Sequence, residues 1–494
     1  MAGINLMTLR RLIGSVAVYS VGDFVLFGLS YLILIPVLTR YLSPDEYGVV
    51  ATMTALSVLL LWVLQLGLPS AALRYYFLHE SRQDRQAYFS TMWLFGLAIS
   101  AMMAAGILTI GEPFWNLLIR NAPFEVYAGY VVWGAFFQVV FVFTSTLLRA
   151  QERPLLFVSL AVARFGCLVV LVVYHVTVWH LGAVGQVRAA FLTYAIFGVI
   201  CTLILLRNLR LQFRVQYIGE SLRFAIPILV GYLVGFFVDR GNVLILQYLT
   251  VGSAVGVFAL GQQLSNLIVM ASGSFEKAWQ PFFYGQSLGN ARVMLVRLSS
   301  MAVPAFMSLV LMLGLFAPEI IRVLSSAAYA DAWIVLMISG MGAAFSAMSS
   351  ILNLGIYYAK RSGFSTRITI IGAVVNVALN LILIPHWGIV GASLASVSSS
   401  IAILFLTNYG MHKFLSAPLD YIRLLSATAL GIASLVLGSL FLNGLGLPLI
   451  VIFAGKVGIV VFYLSLLWVL GIFPLKEDIN LVREMLGPAR LLQQ

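Results

Sequence analysis

Apolar residues run along this chain in long stretches separated by short polar breaks, and no strand-like alternation of apolar and polar positions interrupts them. Counted between charged or turn-forming breaks, the pattern predicts fourteen spans, at about 12–38, 47–68, 87–110, 124–148, 155–178, 181–206, 224–246, 254–271, 298–316, 332–358, 368–384, 389–411, 424–442 and 449–470. A bilayer core offers backbone groups no water to bond, so spans of this kind must be helices of roughly 20 residues. The expected fold is therefore an all-α polytopic membrane protein.

Composition agrees with the pattern. The chain is 62% hydrophobic and 9% charged, against about 25% charged in soluble domains. Charge then orients the spans, because loops on the cytoplasmic side retain Lys and Arg. Of 29 basic residues, 22 fall on the side of the two termini, three (Arg40, Arg120 and Arg322) on the other, and four within spans. The distribution predicts fourteen helices with both termini cytoplasmic. The net charge of +12 then reflects topology and calls for no nucleic acid. Arg10-Arg11 precedes an apolar run too long for a signal peptide and is read as the start of a retained first helix. Cys167 and Cys201 lie inside apolar runs with no metal-ligand spacing, which predicts neither a metal nor a disulfide.

A repeat organises the chain further. Tyr41-Leu42-Ser43 returns as Tyr248-Leu249-Thr250 at a spacing of 207, and Gly48-Val49-Val50-Ala51 returns as Gly256-Val257-Phe258-Ala259 at 208. Gly182-Ala183-Val184-Gly185 returns as Gly388-Ile389-Val390-Gly391 at 206. Matches at both ends of a six-helix unit predict two six-helix lobes, related by a pseudo-two-fold axis along the membrane normal. The expected division is residues 1–210 and 211–415 for the lobes, with 416–494 adding two further helices and a tail. Outer loops are too short to carry a catalytic domain. No Walker sequence, HExxH or other catalytic constellation is present, so the chain reads as no enzyme.

The string Arg40-Tyr41-Leu42-Ser43-Pro44 with Tyr47-Gly48, Gly67-Leu68 with Arg74, Asp239-Arg240, and Asn380 through Pro385 to Gly388 and Gly391-Ala392 together resemble the polysaccharide transporter (Wzx-like) family. That family is grouped with the multidrug and toxin extruders and the lipid II flippases. The resemblance implies translocation of undecaprenyl-diphosphate-linked oligosaccharide units from the cytoplasmic to the outer leaflet by alternating access. It further implies membrane lipids and polysaccharide polymerase or ligase machinery as partners. No cofactor is expected beyond a coupling ion, H+ or Na+.

Charges within spans are the sharpest signal for a site, since each costs about 2.5–3.5 kcal/mol at a helix centre. They are Asp23, Arg164, Arg188, Asp239, Arg240 and Lys456, an excess of positive charge suited to a diphosphate. Arg164 and Arg188 are read as cavity residues. Asp239 and Arg240 are either substrate contacts or a structural pair, and Lys456 pairs, snorkels or lines the cavity. Asp23 is the candidate ion-coupling group, as a helix-one acid is in the related extruders, or else a fixed partner of an arginine. Arg74 and Lys277, at equivalent places in the two lobes, either receive phosphates at the inward mouth or anchor the helix ends. Asn376 and Asn380, four apart, either meet sugar hydroxyls or bond neighbouring helices. Two other functions stay open: a multidrug antiporter on the same fold, and a membrane polysaccharide polymerase or ligase.

Overall fold

The computed structural model describes residues 28, 30–79, 81–119, 121–284, 287–444 and 448–471. Among them are seventeen α-helices and no strand, and twelve helical stretches are long and apolar enough to cross a membrane. The protein is all-α and polytopic. Its chain divides into two compact units, Met1–Ala259 with Leu324–Tyr329, and Leu260–Val323 with Ala330–Gln494.

In the first unit the start of the first predicted span lies outside the described residues. Its end is a π-helical turn, Ser30–Leu34, leading into α1 (Ile35–Tyr41). The polar string that follows is a helix start. Ser43 caps α2 (Pro44–Gln65): its hydroxyl accepts from the Glu46 N–H, while the Glu46 carboxylate accepts from the Ser43 N–H at 3.0 Å. Pro44 supplies a helical φ where no N–H is needed, and Asp45 and Glu46 complement the helix dipole. Such a cap contributes about 1 kcal/mol.

The second predicted span ends earlier than its apolar run does. Leu66 (φ 51°) and Gly67 (φ 70°) are both left-handed and separate α2 from α3 (Leu68–Tyr76). Gly67 is required there twice, because a Cβ would also lie 2.6 Å from the Ala225 carbonyl oxygen. There follow α4 (Arg82–Ile110), α5 (Glu112–Leu118), α6 (Phe124–Ala150), α7 (Pro154–Val173) with a π turn at Tyr174–Val178, and α8 (Gly182–Asn208). Then come α9 (Gln216–Asp239), α10 (Gly241–Leu249) and α11 (Gly252–Tyr284), which runs on into the second unit. Helix α6 is the centre of the first unit: Val132, Ala135, Val139 and Phe143 are fully buried, and it packs on α8, α2 and α4.

The second unit continues with α12 (Leu288–Leu315), α13 (Ala317–Leu324), α14 (Ala332–Tyr358), α15 (Ser362–Phe414), α16 (Tyr421–Gly444) and α17 (Leu449–Val469). Its core joins Leu295, Leu311, Ala344, Leu354, Met411 and Leu435. The two spans predicted at 368–384 and 389–411 are the two helical arms of α15, which part at the non-helical Gly388 (φ 52°, ψ −126°). The element doubles back there. Asn376 bonds Ser399 at 3.1 Å, a Cβ on Gly372 would strike Ile403, and one on Gly391 would strike the Leu383 carbonyl oxygen. Gly182 (φ 58°) and Gly185, whose Cβ would sit 3.1 Å from the His175 carbonyl oxygen, have the same two tasks before α8. The repeated Gly-x-Val-Gly string is thus a left-handed turn followed by a close backbone approach. Gly388→Ala is expected to cost about 1–3 kcal/mol, measured as a lowered thermal midpoint in detergent; unchanged melting would refute the assigned turn.

Candidate functional site

Arg164 lies in α7, a helix that is otherwise apolar and mostly unburied. Its guanidinium sits 4.0 Å from the ring centre of Phe141 on α6 and 5.6 Å from that of Tyr194 on α8. Among the described residues no carboxylate forms an ion pair with it. Ring quadrupoles hold a cation without neutralising it, so among the described residues the guanidinium keeps a charge that no carboxylate compensates.

Arg188 is placed likewise, close to the start of its helix. Two turns into α8, it lies 5.6 Å from the Trp179 ring centre. Trp179 also meets His175, whose Nδ1 pairs with the Leu171 carbonyl at 2.8 Å and whose Nε2 is buried without a partner. Sequence reasoning missed Phe141, Tyr194, Trp179 and His175. Trp179, an aromatic nine positions before Arg188, and His175, four before Trp179, gave local signals; Phe141 and Tyr194 approach Arg164 across helices.

Arg74, on the last turn of α3, stacks 4.6 Å from the Phe224 ring centre of α9. Above that contact, Trp62 of α2 stacks on Tyr232 at 4.2 Å, and the Tyr232 hydroxyl meets Ser70 at 2.8 Å. Asp239 ends α9 and Arg240 caps α10; both are exposed, and no ion pair joins them. The backbone of α11 carries Lys277, whose side chain lies outside the described residues, as does Asp23 altogether. No hydrogen bond, ion pair or ring contact links any two of Arg74, Arg164, Arg188, Asp239 and Arg240.

Two other candidates are structural. Lys456 of α17 is fully buried and bonds both Glu319 carboxylate oxygens, at 2.8 and 2.9 Å. Asn376 and Asn380 are also fully buried, and their amide nitrogens bond Ser399 and the Asn376 carbonyls within α15.

The two copies of the repeated hairpin string meet each other in the first unit. A Cβ on Gly48 would fall on the Gly252 carbonyl oxygen, and one on Gly256 on the Pro44 carbonyl oxygen. Thr52, fully buried, bonds Gln247 at 3.3 Å, joining the copies again one turn further in. Tyr329 completes the seam by donating to the Leu42 carbonyl at 3.0 Å and meeting the Tyr47 ring edge-on at 5.7 Å. Burial pushes the Tyr329 phenol far above its ordinary pKa, so it stays a donor.

Residues 12–284, more than half of the chain, match the family described as polysaccharide biosynthesis protein. The chain belongs to that family. A stretch of this polysaccharide biosynthesis protein is 32% identical over 124 residues to the succinoglycan biosynthesis transport protein ExoT of Rhizobium meliloti (strain 1021); the match spans 25% of this chain and 23% of that protein. Its fold is similar to that of the lipid II flippase MurJ in an inward closed conformation, with a TM-score of 0.73 at 11% identity over 91% of this chain and 98% of that one. It is similar too to an inward-facing multidrug resistance MATE family transporter of the MOP superfamily, with a TM-score of 0.64 at 16% identity over 79% and 94% of the two chains. The family, the fold and the apolar helices together make this a multi-pass membrane protein of the polysaccharide biosynthesis family with a fold like that of those two transporters.

Proposed function

We propose that the protein is a flippase that carries undecaprenyl-diphosphate-linked oligosaccharide repeat units from the cytoplasmic to the outer leaflet of the bacterial inner membrane. The observation that carries this reading is Arg164: an intramembrane guanidinium held by aromatic faces, with no carboxylate paired to it among the described residues. An uncompensated cation inside a membrane protein favours an anionic cargo, and a guanidinium fork matches phosphate oxygens. Arg188 beside Trp179 adds a second such charge. The stacked pair Trp62–Tyr232 offers flat apolar faces of the kind that sugar rings cover.

In this reading residues 1–210 and 211–415 are the lobes that rock in alternating access, with both termini cytoplasmic. Asp239, Arg240, Arg74 and Lys277 attend the substrate as it enters and leaves. Asp23 carries the coupling proton or sodium ion, and a polymerase or ligase receives the product outside. Deletion of the gene followed by analysis of lipid-linked intermediates tests the whole. Accumulation of a complete oligosaccharide unit on the carrier at the cytoplasmic face is expected; normal surface polysaccharide together with lost efflux of cationic dyes would favour the antiporter instead.

Arg164→Ala is expected to reduce glycan export on the order of tenfold or more at normal protein level, as loss of a charge-assisted pair predicts. Arg164→Lys should restore only part of it, because an ammonium keeps the charge and loses the fork. Full export by Arg164→Ala would remove the residue from the site.

A further inference from the structure

On the side that the basic residues assign to the cytoplasm, the ends of α3, α4, α6 and α8 surround a cavity of about 460 Å³ lined by Arg82, Arg85 and Arg153. Arginines at cytoplasmic helix ends are expected from topology alone. These three differ in how they are held. Arg85 Nε donates to the His79 carbonyl at 2.7 Å, and its guanidinium lies 5.7 Å from the Tyr76 ring centre. Arg153 Nη1 donates to Asn208 Oδ1 at 3.4 Å, and Asn208 is itself fixed by its bond to the Ile204 carbonyl at 2.8 Å. Two guanidiniums are therefore placed by neutral groups, which leaves their charge and remaining N–H donors directed to the cavity's occupant.

The nearby carboxylates do not neutralise them. Asp84, between Arg82 and Arg85 in sequence, pairs with Arg214 at 3.2 Å. Glu152 lines the cavity, yet among the described residues no ion pair forms with any of the three arginines. Three cations against one anion leave an excess of positive charge. Gln151 lines the same cavity with its side-chain oxygen buried and unpartnered; an amide in that place can equally present its NH2 to an anion. The rim is apolar and open: Phe77, at the cavity, is 57% exposed, and Leu155, two residues after Arg153, is 69% exposed. Basic groups inside and exposed apolar groups outside match a charged headgroup on acyl chains.

We propose that this cavity binds the phosphate of an anionic lipid headgroup, at a place apart from the intramembrane arginines offered to the transported cargo. The assignment does not depend on the flippase reading, since bilayer phospholipids surround the chain whatever its cargo. Its chemistry is a phosphate monoanion gripped by Arg82, Arg85 and Arg153 in fork geometry.

The test uses the full chain in neutral detergent, with thermal midpoint followed against dihexanoyl phosphatidylglycerol, dihexanoyl phosphatidylcholine and sodium phosphate. Phosphatidylglycerol is expected to raise the midpoint in a saturable way, and the other two are not. Arg82→Gln, Arg85→Gln and Arg153→Gln should each weaken the apparent affinity on the order of tenfold. Arg207→Gln with Arg210→Gln, on the same face but outside the cavity, should leave it unchanged. Equal affinity in all three cavity variants overturns the site, and an equal shift with sodium phosphate alone overturns the lipid as its occupant. Because the variants are single, each reads out separately, and a cavity variant that does not fold leaves the other two to decide.

Discussion

Glu319→Leu should destabilise the second unit by about 3–5 kcal/mol, the cost of stranding one member of a buried ion pair, and should do so more severely than Lys456→Met. The asymmetry follows from burial. Lys456 is 0% exposed on its helix, whereas the Glu319 side chain keeps 27% of its surface open. Without Glu319 the ammonium has, among the described residues, only the Phe316 ring, 6.0 Å away, to meet it. Without Lys456 the carboxylate can still reach water or take up a proton. The double variant Glu319→Leu with Lys456→Met should recover most of the loss, since an apolar pair needs no desolvation. Thermal unfolding of the four proteins in one detergent decides it. If both single variants melt with the wild type, the bidentate bridge between α13 and α17 contributes nothing.

Gly256→Ala is expected to open the seam between the two copies of the hairpin string. The added Cβ would overlap the Pro44 carbonyl oxygen and lie 3.0 Å from the Gly48 nitrogen, both of them backbone atoms that cannot rotate aside. Overpacking of this kind costs about 1–3 kcal/mol. Thr52, fully buried one turn further in, reports the result. With Cys167 and Cys201 replaced by serine and Thr52→Cys introduced, a membrane-impermeant thiol reagent should label the Gly256→Ala protein about tenfold faster than its parent. Gly48→Ala should act alike, because its Cβ would overlap the Gly252 carbonyl oxygen. Equal labelling would show that the seam is not tight.

Class and spans were legible in the sequence, because each depends on a window of neighbouring residues: backbone desolvation demands helices from apolar runs. The strings at Ser43, Gly182 and Gly388 were visible only as repeats and motifs, and the structure showed them to be a helix cap and two left-handed turns. Spans 368–384 and 389–411 were visible as separate runs, and they are two helical arms parted at the non-helical Gly388. The repeat was visible as well. That its two copies would lie against one another, with Gly48 at Gly252 and Gly256 at Pro44, was not.

The candidate site was legible only in part. A charge inside an apolar run announces itself, so Arg164, Arg188 and Lys456 stood out, but a sequence cannot say what faces them. Tertiary packing brought Phe141 and Tyr194 to Arg164 and left it charged, while it brought Glu319, 137 residues away, to Lys456 and neutralised it. The two cations look alike in the chain and are opposites in the fold. The sequence by itself determined that this is a multi-span helical membrane protein with costly intramembrane charges, because burial in a bilayer is a property of each segment. Only the tertiary structure decided which of those charges meet a carboxylate and which meet aromatic rings, because that depends on distances between helices that no single segment contains.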